Sequence, residues 1–306
     1  MAHGFALLGD EVDLSVVINT GDDLELHGLH ISPDIDTVMY TLAGLANDET
    51  GWGVRDETWS AAEMLARYGE PTWFRLGDRD LATHVVRTAA LARGGSLTDA
   101  THTLSRAVGI RATLLPMTDD TVRTHVRTAD GWLEFQDYFV RRHHADQVLE
   151  LRYNGADAAR PSERALEAIS AAQLIVIAPS NPFLSVAPIL SVPGILPALL
   201  AAGAVVVAIS PIVGGAAVRG PAADIISALG GEPSAAGVAR HYAQTWPELL
   251  DVLVIDDVDA HDTNAVNATG VRAHVTGALI AEQSERRRLA REILDLADAY
   301  DSARIS

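Results

Sequence analysis

The chain has 306 residues, 48% of them hydrophobic, and a formal net charge of −18. That length permits one large α/β domain or a core with an inserted one. A charge this negative argues against docking on nucleic acid or an anionic membrane, because both need phosphates neutralised by cations. The absence of cysteine excludes a disulfide framework, a thiolate nucleophile and a thiolate metal site. Lysine is absent too, so every formal side-chain cation other than histidine is an arginine. A phosphorylated ligand would need a metal cation or backbone amides to offset its charge.

Residues 1–8 are brief, lack a basic flank and soon meet Asp10 and Glu11, unlike a signal peptide. Residues 14–18 form a short valine- and isoleucine-rich run without strict alternation, as in a strand buried on both faces of a parallel sheet. Residues 174–178, 204–209 and 252–255 repeat the pattern, with helical stretches between them at 193–202 and 221–229. Residues 41–170 differ. They carry helical patterns and then, within 122–140, two extended runs flanking Ala129-Asp130-Gly131, a hairpin signal. Residues 286–300 read as an amphipathic closing helix with Leu289, Ile293, Leu294 and Leu296 on its apolar side. The expected fold is α/β: a Rossmann-like doubly wound parallel sheet from residues 1–40 and 171–306, with an inserted mixed α+β subdomain or lid at 41–170. Residues 184–213 are the most apolar region, but four internal prolines break them, whereas a membrane span needs about 20 continuous apolar residues. A soluble, cytoplasmic protein is expected.

In an open α/β sheet, ligands bind beyond the carboxyl ends of the strands. Asn19-Thr20-Gly21-Asp22-Asp23, Pro179-Ser180-Asn181-Pro182 and Ser210-Pro211-Ile212-Val213-Gly214-Gly215 follow three of the runs and would surround one crevice. Each, taken alone, is also how a strand simply ends in a turn. Ser32-Pro33-Asp34-Ile35-Asp36-Thr37 is the sharpest local feature. In an extended backbone Asp34 and Asp36 would face one point, which suits magnesium, a cation that shares carboxylates with substrate phosphates. Alternatively one of the two caps a helix starting near Thr37. Gly77-Asp78-Arg79-Asp80 with His84 is a second cluster. Asp80 and His84, four apart, would share a helix face, and Arg79 could hold a phosphate oxygen in a forked hydrogen bond; a capped helix start with a surface ion pair is the alternative. Asp119-Asp120 reads as a turn and His143-His144 as solvated surface. No Gly-x-Ser-x-Gly or His-Glu-x-x-His pattern is present.

Taken in order, these pieces resemble the 2-phospho-L-lactate transferase family of coenzyme F-420 biosynthesis. To the segments above the resemblance adds Gly51-Trp52-Gly53, Leu115-Pro116-Met117-Thr118-Asp119-Asp120, Phe135-Gln136-Asp137-Tyr138-Phe139 and Gly220-Pro221, and it runs from residue 14 to 257. It implies a guanosine diphosphate donor carrying lactate, or enolpyruvate in actinobacterial relatives. The implied acceptor is Fo (7,8-didemethyl-8-hydroxy-5-deazariboflavin), whose terminal ribityl hydroxyl attacks the outer phosphorus as GMP leaves, with magnesium as the cation. Asp34 and Asp36 would then lie at the metal and hydroxyl end with Asp23 assisting, and one aspartate would act as base. Arg79 would face the acceptor or the transferring phosphate, with Asp80 and His84 also binding substrate. Asn19, Ser180, Asn181 and the Gly214-Gly215 backbone would face the guanosine diphosphate. Such a transfer needs positioning and charge stabilisation, not a protein nucleophile. The family begins with a short strand and a Gly-rich loop that residues 1–13 do not supply; either the true start lies upstream or the first strand is missing, and a missing strand would weaken donor binding. Competing readings are a non-enzymatic nucleotide-sugar-binding regulator of related fold, a dinucleotide-dependent oxidoreductase, which lacks its Gly-x-Gly-x-x-Gly here, and a metal-dependent glycosyltransferase using Asp-x-Asp. A homodimer is the default expectation.

Overall fold

The computed structural model of the chain describes residues 1–47, 49–218 and 220–305. A short helix α1 (Ala2–Ala6) precedes strand β1 (Ser15–Ile18), whose end opens into the polar loop at 19–23 and then a hairpin of β2 (Leu24–Leu26) and β3 (Leu29–Ile31). His27 and Gly28 make its two-residue turn with φ of 52° and 74°, the mirror-image turn that matches strand twist. Helix α2 (Pro33–Leu42) starts at once, with Pro33 in the first turn, where a missing amide costs nothing. Helices α3 (Ser60–Arg67), α4 (Asp78–Ala92) and α5 (Leu97–Ala107) lead to β4 (Thr113–Pro116), which pairs in parallel with β1. The antiparallel strands β5 (Arg123–Thr128), β6 (Gly131–Glu134) and β7 (Glu150–Asn154) follow, in the order β6-β5-β7. The expected hairpin is β5–β6, with Thr128 paired to Gly131 across its tip.

The second half alternates helices and strands. Helix α6 (Glu163–Ala171) leads to β8 (Leu174–Ile177), then a wide helical turn (Pro182–Val186), α7 (Ala187–Ser191) and α8 (Ile195–Ala201). Strand β9 (Val205–Ile209) runs into the small ribbon β10 (Ile212–Val213) and β11 (Ala216–Ala217), and α9 (Ala222–Ala228) and α10 (Ala235–Thr245) precede β12 (Val252–Ile255). Helix α11 (Thr263–Asn267), β13 (Arg272–Val275) and α12 (Gln283–Ile305) complete the chain. The four strands form a parallel sheet in the order β13-β12-β9-β8.

Burial explains that order. Every residue of β9 and β12 is buried, so these continuous apolar strands lie inside, whereas Arg272-Ala273-His274-Val275 is only partly covered and takes the edge. Val206, Ala208, Leu253 and Ile255 face one core, completed by α10 and by Ile195 of α8. Val205, Val207, Val252 and Val254 face the other, closed by Leu289, Ala290 and Ile293 of α12 and Phe5 of α1. Both faces are covered, so the fold is doubly wound. Strands β4 and β13 had no signal strong enough to be expected. The β1–β4 ladder crosses the boundary expected at residue 41, and β1 joins two cores: Val17 packs on the larger, Val16 and Ile18 on one built from α2 and α5. Among the described residues no single helix is long and apolar enough to cross a membrane.

Ile293 is fully buried under the sheet. Ile293→Ala is expected to cost about 2–5 kcal/mol in urea unfolding. Leu279→Ala, at a residue 52% exposed, should change stability by less than about 0.5 kcal/mol.

Candidate active site

The end of β1 places a polar loop between the two sheets. Asn19 organises it: its Oδ1 accepts the Gly21 amide at 2.8 Å, and its Nδ2 donates to Asp34 Oδ2 at 3.0 Å and to the Leu184 carbonyl at 3.3 Å. One side chain thus joins the β1 loop, the start of α2 and the turn after β8. The Gly21 carbonyl accepts the Thr124 amide at 2.7 Å, and Gln136 Nε2 donates to the Asp22 carbonyl at 2.9 Å, which ties the loop to the antiparallel sheet. Asp23 Oδ2 accepts the Ser32 hydroxyl at 2.8 Å and lies 2.9 Å from His30 Nε2.

The carboxyls of Asp22, Asp23 and Asp34 converge here. Burial, then the neighbouring charge of Asp34, pushes the Asp22 carboxyl well above its usual range. Burial pushes Asp34 up to about 6, with Asn19 opposing and Asp23 adding to the rise. Asp22 Oδ1 and Asp23 Oδ1 are buried without a hydrogen-bond partner, as are the donors Thr20 Oγ1, Thr124 Oγ1 and Asn181 Nδ2. Buried acceptors beside buried donors, both unmet, are what a cation with its anionic ligand would satisfy.

Asp36 has a different fate from Asp34. The segment expected to be extended is the first turn of α2, where side chains two apart diverge by about 200°, so the two carboxylates do not share a point. Asp36 is 4% exposed and receives the guanidinium of Arg87, which is 0% exposed, on both oxygens. Burial raises the Asp36 carboxyl against the pull of Arg87. Burial also opposes the charge on Arg87, but Asp36 and Asp23 hold that guanidinium above its ordinary value. His84 lies 3.3 Å from Asp80 Oδ1 and 3.6 Å from Asp36 Oδ2, so the expected Asp80–His84 pairing on one helix face is present. The Tyr40 hydroxyl donates to Asp80 Oδ1 at 2.7 Å. Asp36, Asp80 and His84 hold ligand atoms within 4.8 Å of one another and could hold a metal ion. A cation already serves that space, because Arg87 is paired with Asp36 and lies 3.3 Å from His84 Nδ1.

This network clamps α2 antiparallel to α4, with Asp36 opposite Arg87 and Tyr40 opposite Asp80. Tyr40 is six residues beyond Asp34, about 9 Å along the helix. Arg79, at the start of α4, is therefore at the far end of the pair from the Asp34 cluster. It is exposed and donates to the Arg55 carbonyl at 3.1 Å. Asp78 accepts the Ser60 and Ala61 amides, while Glu57 accepts those of Arg79 and Asp80, so α3 and α4 cap one another. Asp119 and Asp120 accept the amides of Thr98 and Arg160, as turn residues would, and His143 and His144 are exposed.

Beyond β8, Asn181 Oδ1 accepts the Phe183 and Leu184 amides, leaving only its Nδ2 for a ligand, and Ser180 is half-buried beside it. Gly214 and Gly215 have φ of 59° and 79° between β10 and β11. The Gly214 amide is engaged by both carboxylate oxygens of Asp259, 3.0 Å each, so that amide is already bonded within the chain. His30, Ser32, Arg87, Tyr40 and Thr124 were not expected as site residues. Ser32 stands in the segment that opens α2, and the others are marked only by a position opposite an aspartate in the folded chain.

A doubly wound sheet with a buried carboxylate cluster beyond the end of β1 puts a candidate ligand site where open α/β folds bind theirs. The sequence matches the family described as 2-phospho-L-lactate transferase CofD over residues 1–288. The chain belongs to that family and is a transferase of coenzyme F-420 biosynthesis. It is similar to proteins named phosphoenolpyruvate transferase: 44% identical to that of Kitasatospora aureofaciens (96% of this chain, 92% of the relative), 44% to that of Streptomyces coelicolor (98% and 95%) and 42% to that of Mycobacterium bovis (84% and 80%). A crystal structure of a UPF0052 family member from Bacillus halodurans shares the fold, with a TM-score of 0.62 at 16% identity over 96% of each chain.

Arg87→Met is expected to cost about 3–5 kcal/mol in denaturant unfolding, because it strands a buried carboxylate, and adding Asp36→Leu should recover much of that loss. Charge reversal at Asp36 should also destabilise the fold, because it sets a like charge against the buried Arg87 guanidinium. Asp34 supplies a pH prediction for the metal-free chain. Its folded pKa, about 6, exceeds the ordinary 3.8, so between about pH 4 and pH 6 the folded chain keeps a proton that the unfolded chain releases. Stability from this group is present at low pH and is lost as pH rises through that window. Asp34→Asn removes the effect, so unfolding measurements should show the variant gaining stability relative to wild type from pH 4 to pH 7.

Proposed function

We propose that the chain moves phosphoenolpyruvate from a guanosine diphosphate conjugate to the terminal ribityl hydroxyl of Fo, releasing GMP, with magnesium as the cation. The observation that carries this reading is the unmet pair of oxygens, Asp22 Oδ1 and Asp23 Oδ1, beside Asp34. The names of the curated relatives support enolpyruvate over lactate as the three-carbon acid.

Asp22 and Asp34 fit the cation: they are close, mutually destabilised as anions, and lodged where oxygen ligands suit magnesium. Asn19 fixes Asp34 for this role. Magnesium, when bound, neutralises phosphate charge and orients the transferring group. Asp36, expected beside Asp34 as a ligand, is paired with Arg87 and lies outside the cation site in this reading. Asp23 is the base in this reading, because Ser32 and His30 fix its Oδ2 and leave Oδ1 free. The ribityl oxygen bonds to the outer phosphorus, the bond to the bridging oxygen breaks with its electron pair leaving on GMP, and the hydroxyl proton passes to Asp23 Oδ1. Asn19, Ser180 and Asn181 Nδ2 border the donor, and the Gly214-Gly215 turn shapes its far side.

The test is to incubate the chain with Fo, magnesium and each conjugate, and to follow the deazaflavin by mass spectrometry. The expected result is a mass gain of one phosphoenolpyruvate and stoichiometric GMP. Asp22→Asn and Asp34→Asn should each lower kcat/KM by at least about 10²-fold, and Asp23→Asn should lower kcat by about 10²–10⁴-fold. Wild-type, magnesium-dependent turnover by Asp34→Asn would sink the assignment.

A further inference from the structure

The antiparallel sheet contributes one polar group to the carboxylate cluster that the reaction so far leaves unused. Thr124, the second residue of β5, is 1% exposed, and its hydroxyl has no hydrogen-bond partner. Gly21, Asp22, Asp23 and Thr124 share the wall of one small cavity. The backbone places that hydroxyl closely: the Thr124 amide donates to the Gly21 carbonyl at 2.7 Å, and a Cβ on Gly21 would stand 2.7 Å from Thr124 Oγ1. Only glycine at position 21 lets β5 come this near. The hydroxyl faces the Asp22 carboxyl and favours its ionised form as a weak hydrogen bond would, but the contact falls short of well-formed hydrogen-bond geometry. A buried hydroxyl without an acceptor costs stability, and two further unmet donors, Thr20 Oγ1 and Asn181 Nδ2, belong to the loops that converge on this cluster.

We propose that the Thr124 hydroxyl donates to an oxygen of the outer phosphate of the guanosine diphosphate substrate, holding that phosphate over the Asp22–Asp34 cation. This deepens the reading above and rests on it for the donor's identity. An oxygen bound to a cation on one side needs a donor on another as charge develops in transfer, and a fixed hydroxyl in a water-poor site supplies it without reorganisation. The antiparallel sheet is then part of the reaction centre as well as a cover. The same geometry gives Gly21 its role: a side chain there would push Thr124 away.

The experiment measures binding and turnover separately. With magnesium present, calorimetry compares GDP, which has the outer phosphate, with GMP, which lacks it, on wild type, Thr124→Val and Thr124→Ser. Thr124→Val should weaken GDP binding by about tenfold and leave GMP binding unchanged, while Thr124→Ser should keep wild-type affinity for both. In the Fo assay Thr124→Val should lower kcat by about 10²-fold, with KM for Fo changed less than about threefold. Thermal unfolding of each variant identifies any loss of fold, in which case Thr124→Ser against Thr124→Ala decides. GDP and GMP binding both unchanged in Thr124→Val would overturn the proposal, as would equal weakening of both. Retained GDP discrimination with no transfer to Fo by wild type would leave the Thr124 contact standing and remove the Fo reading. No GDP binding by wild type would overturn both.

Discussion

The structure turns on the buried pair between Asp36 and Arg87. Neither charge is tolerable alone in that interior, and each makes the other possible. The pair fixes where α2 lies against α4, and with it the place of Asp34, two residues before Asp36 on the same helix turn. Tyr40, Asp80 and His84 extend the clamp toward the far end of both helices. Among the described residues of this lysine-free chain the one fully buried formal cation is a guanidinium, whose planar fork can satisfy a carboxylate on both oxygens and still reach the His30 carbonyl.

The candidate site follows the opposite rule. Around Asn19 the chain leaves carboxylate oxygens, hydroxyls and an amide buried and unmet, an arrangement that burdens the empty fold. The cost is confined to a loop held by backbone contacts from three directions: α2, the antiparallel sheet and the turn after β8. A bound cation and diphosphate would relieve donors and acceptors together, so the pre-set geometry favours the ligand over water. The two acidic clusters lie near each other but differ in kind. The cluster around Asp36 already holds a guanidinium, whereas the cluster around Asn19 leaves its polar atoms unmet.

Sequence pattern alone determined much. Unbroken valine and isoleucine runs suit a sheet covered on both faces, so β1, β8, β9 and β12 and the doubly wound class were legible, as were the β5–β6 hairpin, the closing helix and the family. Asn19, Asp23 and Asp34 were legible as candidate site residues because they follow a strand end or open a helix. The tertiary structure decided the rest. Strand β13 is too polar to announce itself and forms because an edge needs covering on fewer sides. Helix α2 starts at Pro33 rather than near Thr37, which separates Asp34 from Asp36. Whether an aspartate is a ligand or half of an ion pair depends on what faces it, and Arg87 is 51 residues from Asp36. Thr124 comes to Gly21 through a different sheet altogether. Local spacing fixes which way a side chain leaves its own backbone, but only the packing of distant segments fixes what it meets.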